Sequence, residues 1–128
     1  MKEPVVVVNA DVKQCQELCA VLETEHFRTT ALYSLGALEG EVKEGNCRVL
    51  NLDLDSLPVD NLLFRSLKRK NPGVHIVGLS NRPFHPELEE AMRRHISSCL
   101  TKPVDMEELL YWLRNVCHEE KKRQDLLT

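Results

Sequence analysis

Short apolar runs alternate along the chain with segments in which apolar residues recur at helical spacing. The first run, from Val5 to Val8, is β-branched throughout and favours a strand that is buried on both faces. Apolar residues at intervals of three and four then follow from Val12 to Leu22, and Asp11 stands at the helix N-cap position. The chain therefore begins with a predicted strand, a short loop and a predicted helix.

This unit recurs four more times. Further strands are predicted at 26–32, 48–52, 74–79 and 98–100, and helices at 34–44, 60–70, about 86–96 and after an N-cap at Asp105. Gly45-Asn46 and Asn71-Pro72-Gly73 are predicted to end two of these helices. The last helix has an apolar face that is typical of core packing and consists of Leu109, Trp112, Leu113 and Val116. Five units with short connections predict one α/β domain, a doubly wound five-stranded parallel sheet.

Composition narrows the class of protein. The chain has 128 residues, 42% of them hydrophobic and 29% charged, as is typical of one globular domain. Its net charge of -3 provides no overall positive field for nucleic acid or for a membrane surface, so we expect protein partners. The apolar run at the N-terminus is too short for a signal peptide or a membrane span. We therefore expect a cytoplasmic protein.

Cysteine and histidine show no ligand spacing. The five cysteines are odd in number and contain no C-x-x-C pair, which favours reduced structural thiols in a reducing compartment. The five histidines are scattered, and none is assigned to metal binding or catalysis.

Polar residues with charged or reactive side chains stand at the ends of the predicted strands. Asp53 follows the third strand, Ser80 the fourth, and Lys102-Pro103 the fifth. Open parallel sheets collect their functional residues beyond the carboxyl ends of the strands. We therefore expect Asp53, Ser80 and Lys102 to meet at one edge of the sheet.

The chain resembles the receiver domain of response regulators, which are CheY-like proteins, from Val5 to about Val116. Asp53 matches the phosphate-accepting aspartate of that family, Ser80 its hydroxyl residue, and Lys102-Pro103 its lysine-proline pair. The resemblance implies the flavodoxin-like strand order 2-1-3-4-5 and a phosphoryl group transferred to Asp53 from a histidine kinase. Lys102 and Ser80 would then hold the phosphoryl oxygens, and Pro103 would fix the loop through a cis peptide bond.

The resemblance also implies Mg²⁺, with a departure at the metal ligands. The implied ligands are Asp53 and the backbone carbonyl of Asp55, and Asn9 and Asp11 are further candidates. Asn9 and Ala10 replace the acidic pair of the family, and fewer carboxylates weaken a site for a hard cation. We therefore expect weak Mg²⁺ binding. The side chain of Asp55 either adds charge to the site or faces solvent.

The implied function is a signalling switch and not a turnover enzyme. Its implied partners are a sensor histidine kinase or phosphotransfer protein, an effector protein or output domain, and a second copy in a homodimer. Residues 1–117 are predicted to form the receiver domain. Residues 118–128 are predicted to form a charged tail, or a helical extension that couples to an output domain or completes a dimer contact.

Two alternative interpretations compete with a phosphate-accepting receiver. A degenerate receiver would have the same fold but act through protein contacts without phosphorylation, and the missing acidic pair favours it. A flavodoxin-like enzyme or nucleotide binder would need a glycine-rich phosphate loop after the first strand, where residues 9–13 contain no glycine. The sequence opposes this last interpretation.

Overall fold

A computed structural model describes the backbone of residues 3–43 and 49–127 and the side chains of residues 4–42 and 49–116. The strands are β1 (Glu3–Val8), β2 (Phe27–Leu32), β3 (Val49–Asp53), β4 (His75–Ser80) and β5 (Ile96–Thr101). The helices are α1 (Val12–Thr24), α2 (Leu38–Lys43), α3 (Asn61–Lys70), α4 (Glu89–Arg94) and α5 (Met106–Leu127). Single 3₁₀ turns, Leu35–Ala37 and Pro86–Leu88, precede α2 and α4. The alternation predicted from the sequence is confirmed.

The five strands form one parallel sheet in the order β2-β1-β3-β4-β5, as the resemblance implied. Two apolar layers cover it. One face packs against α2, α3 and α4, with Leu38, Phe64 and Ala91 fully buried in that layer. The opposite face packs against α1 and α5, where Leu22 and Leu109 are fully buried. Burial on both faces explains why the inner strands β1, β3 and β4 are mostly apolar. The edge strands β2 and β5 are partly exposed and contain polar residues.

Local signals set the helix starts correctly. The carboxylate of Asp11 accepts a hydrogen bond from the backbone N–H of Gln14 at 3.1 Å, and Asp60 caps α3 in the same way. Asp105 accepts from the backbone N–H of Glu107 at 2.9 Å. These caps satisfy the free N–H groups of the first turn.

The structure corrects three details. Ile96 was predicted near the end of a helix, but it opens β5, where a register shift between Ile76 and Val77 turns it toward the α2–α4 layer. Trp112 was predicted in the core, but it is 36% exposed, whereas Leu110 is buried. His26 was predicted in β2, but it precedes the strand with a φ of 72°.

Some sequence predictions lie outside the described residues. These are the helix end at Glu44, the stop at Gly45-Asn46, the strand start at Arg48, Cys47, and the side chains of 117–128. The backbone of α5 runs to Leu127, and the division into 1–117 and 118–128 stays a prediction. In the part of the chain that the structure describes, every helix is too short or too polar to cross a membrane.

Candidate functional site

The carboxyl ends of β3, β4 and β5 bring the three predicted residues together. Asp53 is the last residue of β3 and Ser80 the last of β4, and Lys102 directly follows β5. The backbone N–H of Lys102 donates to the carbonyl of Ser80 at 2.8 Å, which fixes the start of the Lys102-Pro103 loop against β4. The peptide bond between these two residues is cis, as the resemblance implied.

A glycine in β4 positions the loop that follows Asp53. Leu54 packs over Gly78 so closely that a Cβ at Gly78 would lie 3.0 Å from Leu54 Cδ1. The backbone N–H of Leu54 also donates to the carbonyl of Leu79 at 2.9 Å. Glycine permits this approach because it has no side chain. The loop that carries Asp55 and Ser56 is therefore held firmly against β4.

Asp53 is buried, with 2% of its surface exposed. Its Oδ2 accepts a hydrogen bond from the backbone N–H of Ser56 at 2.9 Å. Its Oδ1 forms an ion pair with the ammonium group of Lys102, and no donor reaches that oxygen in hydrogen-bond geometry. A carboxylate this deeply buried requires such a counter-ion.

Lys102 is shared between two carboxylates. Its ammonium group contacts Asp53 and lies 3.1 Å from Asp55 Oδ2. Burial alone would lower the pKa of Lys102, but its bonds to the two carboxylates outweigh burial and raise the pKa above its ordinary value. The lysine is therefore held as a cation.

The side chain of Asp55 points into the site. Its Oδ1 accepts from the hydroxyl of Ser80 at 2.9 Å, and its Oδ2 accepts from the backbone N–H of Asn81 at 2.8 Å. Burial opposes ionisation of Asp55, but the bonds from Asn81, Ser80 and Lys102 hold its pKa below the ordinary value. Of the two orientations left open by the sequence, Asp55 adopts the one that adds charge. We call Asp53, Asp55, Ser80 and Lys102 the charged cluster.

His85 extends the charged cluster toward α4, and no pattern in the sequence indicated this position. The imidazole is 1% exposed and its Nε2 lies 2.5 Å from the Ser80 hydroxyl. Arg82 Nη2 lies 2.7 Å from Nδ1, and because a guanidinium can only donate, Nδ1 is the acceptor and Nε2 carries the proton. The backbone N–H of His85 faces the sulfur of Met92 on α4 at 3.5 Å.

A second group of residues lies at the end of β1. Asn9 is buried, and its Oδ1 accepts from the backbone N–H of Asp11 at 2.8 Å and from the Ser56 hydroxyl at 3.1 Å. The Ser56 hydroxyl also accepts from the backbone N–H of Ala10 at 3.1 Å. We call Asn9, Ala10 and Ser56 the neutral cluster. Ser56 was missed from the sequence, although its position three residues after Asp53 is a known turn pattern.

The side-chain oxygen atoms at this edge of the sheet do not form a suitable set of ligands for Mg²⁺. Ala10 supplies no side-chain oxygen, Asn9 supplies a neutral one that already accepts two hydrogen bonds, and Asp11 caps α1. Asp53 Oδ1 is paired with Lys102, a cation that would repel a second cation. Among the described residues no three histidine, cysteine or acidic side chains group closely enough to hold a metal. A hard divalent cation prefers several carboxylate oxygens.

An open groove of about 570 Å³ runs from the site along α1. Asn9, Asn81 and Lys102 form its polar end. Its apolar side is formed by Leu18, Val21, Val104 and Met106. The site is therefore reached from a surface that combines charge with apolar side chains.

No protein-family model matches the sequence, and no curated protein sequence matches it. Solved structures do match. A CheY-like response regulator receiver domain from Methanospirillum hungatei JF-1 superimposes with a TM-score of 0.83 over 95% of this chain and 99% of its own, at 14% identity. The beryllofluoride-activated NtrC4 receiver domain dimer matches with a TM-score of 0.80 over 91% and 98%, at 21% identity.

NtrX from Brucella abortus matches with a TM-score of 0.80 over 98% of this chain, at 19% identity. The match covers only 29% of the NtrX chain, so this chain corresponds to one part of that longer protein. At these identities the likeness concerns the fold. Five parallel strands in the order 2-1-3-4-5, with polar residues gathered at their carboxyl ends, give this chain the fold of a response regulator receiver domain.

Proposed function

We propose that this chain is a signalling module of the degenerate receiver type, which acts through protein contacts without being phosphorylated. The observation that carries the proposal is the bonding of the Asp55 carboxylate to the Ser80 hydroxyl, the Asn81 N–H and the Lys102 ammonium. These donors are the ones that an incoming phosphoryl group would need. The neutral cluster adds a second obstacle, because it lacks the carboxylates that hold Mg²⁺.

The module is proposed to be a switch or adaptor and not an enzyme. Ser80, His85 and Glu87 are the residue types of a hydrolytic triad, and His85 Nδ1 lies 3.4 Å from Glu87 Oε1. However, Ser80 is fully buried and its proton is donated to Asp55, so the hydroxyl cannot reach a substrate. The arrangement supports a structural hydrogen-bond chain.

The proposed partners are proteins, and the proposed compartment is the cytoplasm. The groove along α1 combines a charged end with apolar side chains, as protein interfaces do. A second exposed surface lies beside His85, where Phe84 is 52% exposed. An effector that contacts Phe84 would detect the state of the charged cluster through its neighbour His85. The relation to a sensor histidine kinase, an output domain or a second copy is proposed only by analogy to the fold.

A second candidate function is phosphate acceptance at Asp53, as the resemblance implied. The specific observation in its favour is the retained set of Asp53, Ser80 and Lys102 within one site. Cys99 weakens this candidate, because it stands where the family has an aromatic residue that reports phosphorylation. Burial and then the charge of Asp55 raise the pKa of the Cys99 thiol, which is partly buried against the α2–α4 layer.

Intact-mass measurement after incubation with acetyl phosphate and Mg²⁺ separates the two candidates. We expect no stable adduct on the wild-type protein. The triple variant Asn9→Asp/Ala10→Asp/Asp55→Ala is the matched control and should gain an adduct, because it restores two carboxylates at the end of β1 and frees the donors that Asp55 holds. A wild-type adduct that disappears in Asp53→Asn would refute the degenerate receiver and establish Asp53 as the acceptor.

A further inference from the structure

Three donors from two separate strand ends converge on the carboxylate of Asp55. The Ser80 hydroxyl lies 2.9 Å from Oδ1, and the backbone N–H of Asn81 lies 2.8 Å from Oδ2. The ammonium group of Lys102 lies 3.1 Å from the same Oδ2. A hydroxyl, a backbone N–H and an ammonium group aimed at one point form a binding site for an oxyanion.

The donors of this site are already committed to Asp55. Ser80 has a single hydroxyl proton, and it is donated to Asp55. The oxygen of the same hydroxyl accepts from the backbone N–H of Arg82 at 3.0 Å and from His85 Nε2. Since Ser80 is fully buried, its hydroxyl cannot turn toward another anion without breaking these bonds.

The site lies beside the buried carboxylate of Asp53, because Lys102 contacts both aspartates. Two negative charges thus share one ammonium group. A third anion in the same space would lack a counter-ion, and like charges that are close together repel strongly in a buried site. An external oxyanion can therefore enter only if the Asp55 carboxylate leaves.

We propose that the Asp55 carboxylate is an internal anion that occupies a phosphate-binding site formed by Ser80, Asn81 and Lys102. This rests on the proposed degenerate receiver and explains how such a module stays in one conformation. Because Asp55 is tethered to the site by the chain, it competes with free phosphate at an effective concentration in about the millimolar range or above. Free phosphate at ordinary concentrations does not displace it.

The internal anion also sets the conformation of the segment before α4. Asp55 orients the Ser80 hydroxyl, Ser80 accepts from His85, and His85 faces Met92 on α4. Loss of the carboxylate removes the first member of this chain. The segment 81–88 then rearranges, or the freed donors of Ser80, Asn81 and Lys102 bind phosphate.

The test is a titration of the Asp55→Ala variant with inorganic phosphate, followed by the amide resonances of Asn81 and Lys102. The freed donors should give saturable shifts, with an affinity at least about tenfold higher than that of the wild-type protein. Glu89→Ala is the matched control, because it removes an exposed carboxylate on α4 with the same change in net charge. This control should behave like the wild type.

Two results would overturn the proposal. One is wild-type binding of phosphate as tight as that of Asp55→Ala, and the other is a folded Asp55→Ala variant that shows no saturable shift. If Asp55→Ala does not fold, Asp55→Asn carries the test, since its neutral amide keeps the shape of the side chain but loses the ion pair with Lys102. A folded Asp55→Asn that binds phosphate no better than the wild type would overturn the proposal equally.

The same samples distinguish this inference from the proposed function. Acetyl phosphate reports phosphorylation of Asp53 by mass, whereas inorganic phosphate reports only the occupancy of the oxyanion site. A wild-type adduct together with phosphate binding that appears only in Asp55→Ala would refute the degenerate receiver and leave the role of Asp55 intact. If the wild type gives no adduct and Asp55→Ala does not bind phosphate, the degenerate receiver stands and the role of Asp55 as an internal anion is refuted.

Discussion

The charged cluster and the neutral cluster lie at the same edge of the sheet but differ in chemistry. In the charged cluster, Asp53 and Asp55 share one lysine. In the neutral cluster, Asn9, Ala10 and Ser56 satisfy one another through uncharged hydrogen bonds. Three donors of the charged cluster are therefore bonded to the Asp55 carboxylate, whereas the neutral cluster contains no carboxylate. The two clusters meet at Asp53, whose Oδ2 accepts a hydrogen bond from the backbone N–H of Ser56.

The largest effect that tests this comparison is expected from Lys102→Ala. The change leaves two carboxylates without a counter-ion, one of them buried, and should lower the free energy of unfolding by about 3 kcal/mol. Urea denaturation measures it. Lys70→Ala, which removes an exposed ion pair with Glu39, is the matched control and should cost less than about 1 kcal/mol. If the two variants lost the same free energy of unfolding, the ion pairs of Lys102 would contribute no more to stability than an exposed ion pair.

A gain of stability is expected from Asn51→Val. Asn51 lies on β3 two residues before Asp53, is 1% exposed, and neither polar atom of its side chain has a hydrogen-bond partner. Replacing the amide with an apolar side chain removes an unpaired polar group and should raise the free energy of unfolding by about 1–3 kcal/mol. Urea denaturation of the wild type and of Asn51→Val measures this gain, and the m-value should be the same for both proteins. A loss of stability would show that the amide has a partner such as a buried water.

Ala10→Asp tests the neutral cluster. A carboxylate at the exposed end of β1 adds a hard ligand near Asp53, and Mg²⁺ binding should tighten by at least about tenfold. Isothermal titration of both proteins measures the change. Ala10→Asn is the matched control, because it adds an oxygen without charge and should give a smaller gain. If the wild type bound Mg²⁺ as tightly as Ala10→Asp, the lack of a carboxylate in the neutral cluster would not be what limits Mg²⁺ binding.

The smallest effect is expected in the pH dependence of stability. Because hydrogen bonds and Lys102 lower the folded-state pKa of Asp55, its ionised form contributes stability above an unfolded pKa of about 3.9. This contribution is lost as the pH falls through the lower folded pKa. Asp55→Asn should therefore lose less stability than the wild type on acidification below about pH 4. If the free energies of unfolding of the two proteins fall equally as the pH falls, the ionised form of Asp55 is not stabilised by the charged cluster.

Much of the fold could be predicted from local patterns. The four valines of β1 and the cap residues Asp11 and Asp60 act within a few positions along the chain, so their consequences are visible in the sequence. The convergence of Asp53, Ser80 and Lys102 also follows, because parallel strands place their carboxyl ends at one edge. Ile96 was misassigned because a bulge in β5, which reverses the direction of a side chain, depends on pairing with β4.

The contacts of the site required the tertiary structure. The sequence determined that Asp55 and Ser56 follow β3, but not that Asp55 would bond Ser80 and Asn81 while Ser56 would bond Asn9. Nor did it indicate that His85 would be buried against Ser80. These contacts join residues on different strand ends, and the direction of each side chain depends on how the loops pack over the sheet. The sequence by itself determined which chemical groups reach this edge, and only the tertiary structure decided which of them pair.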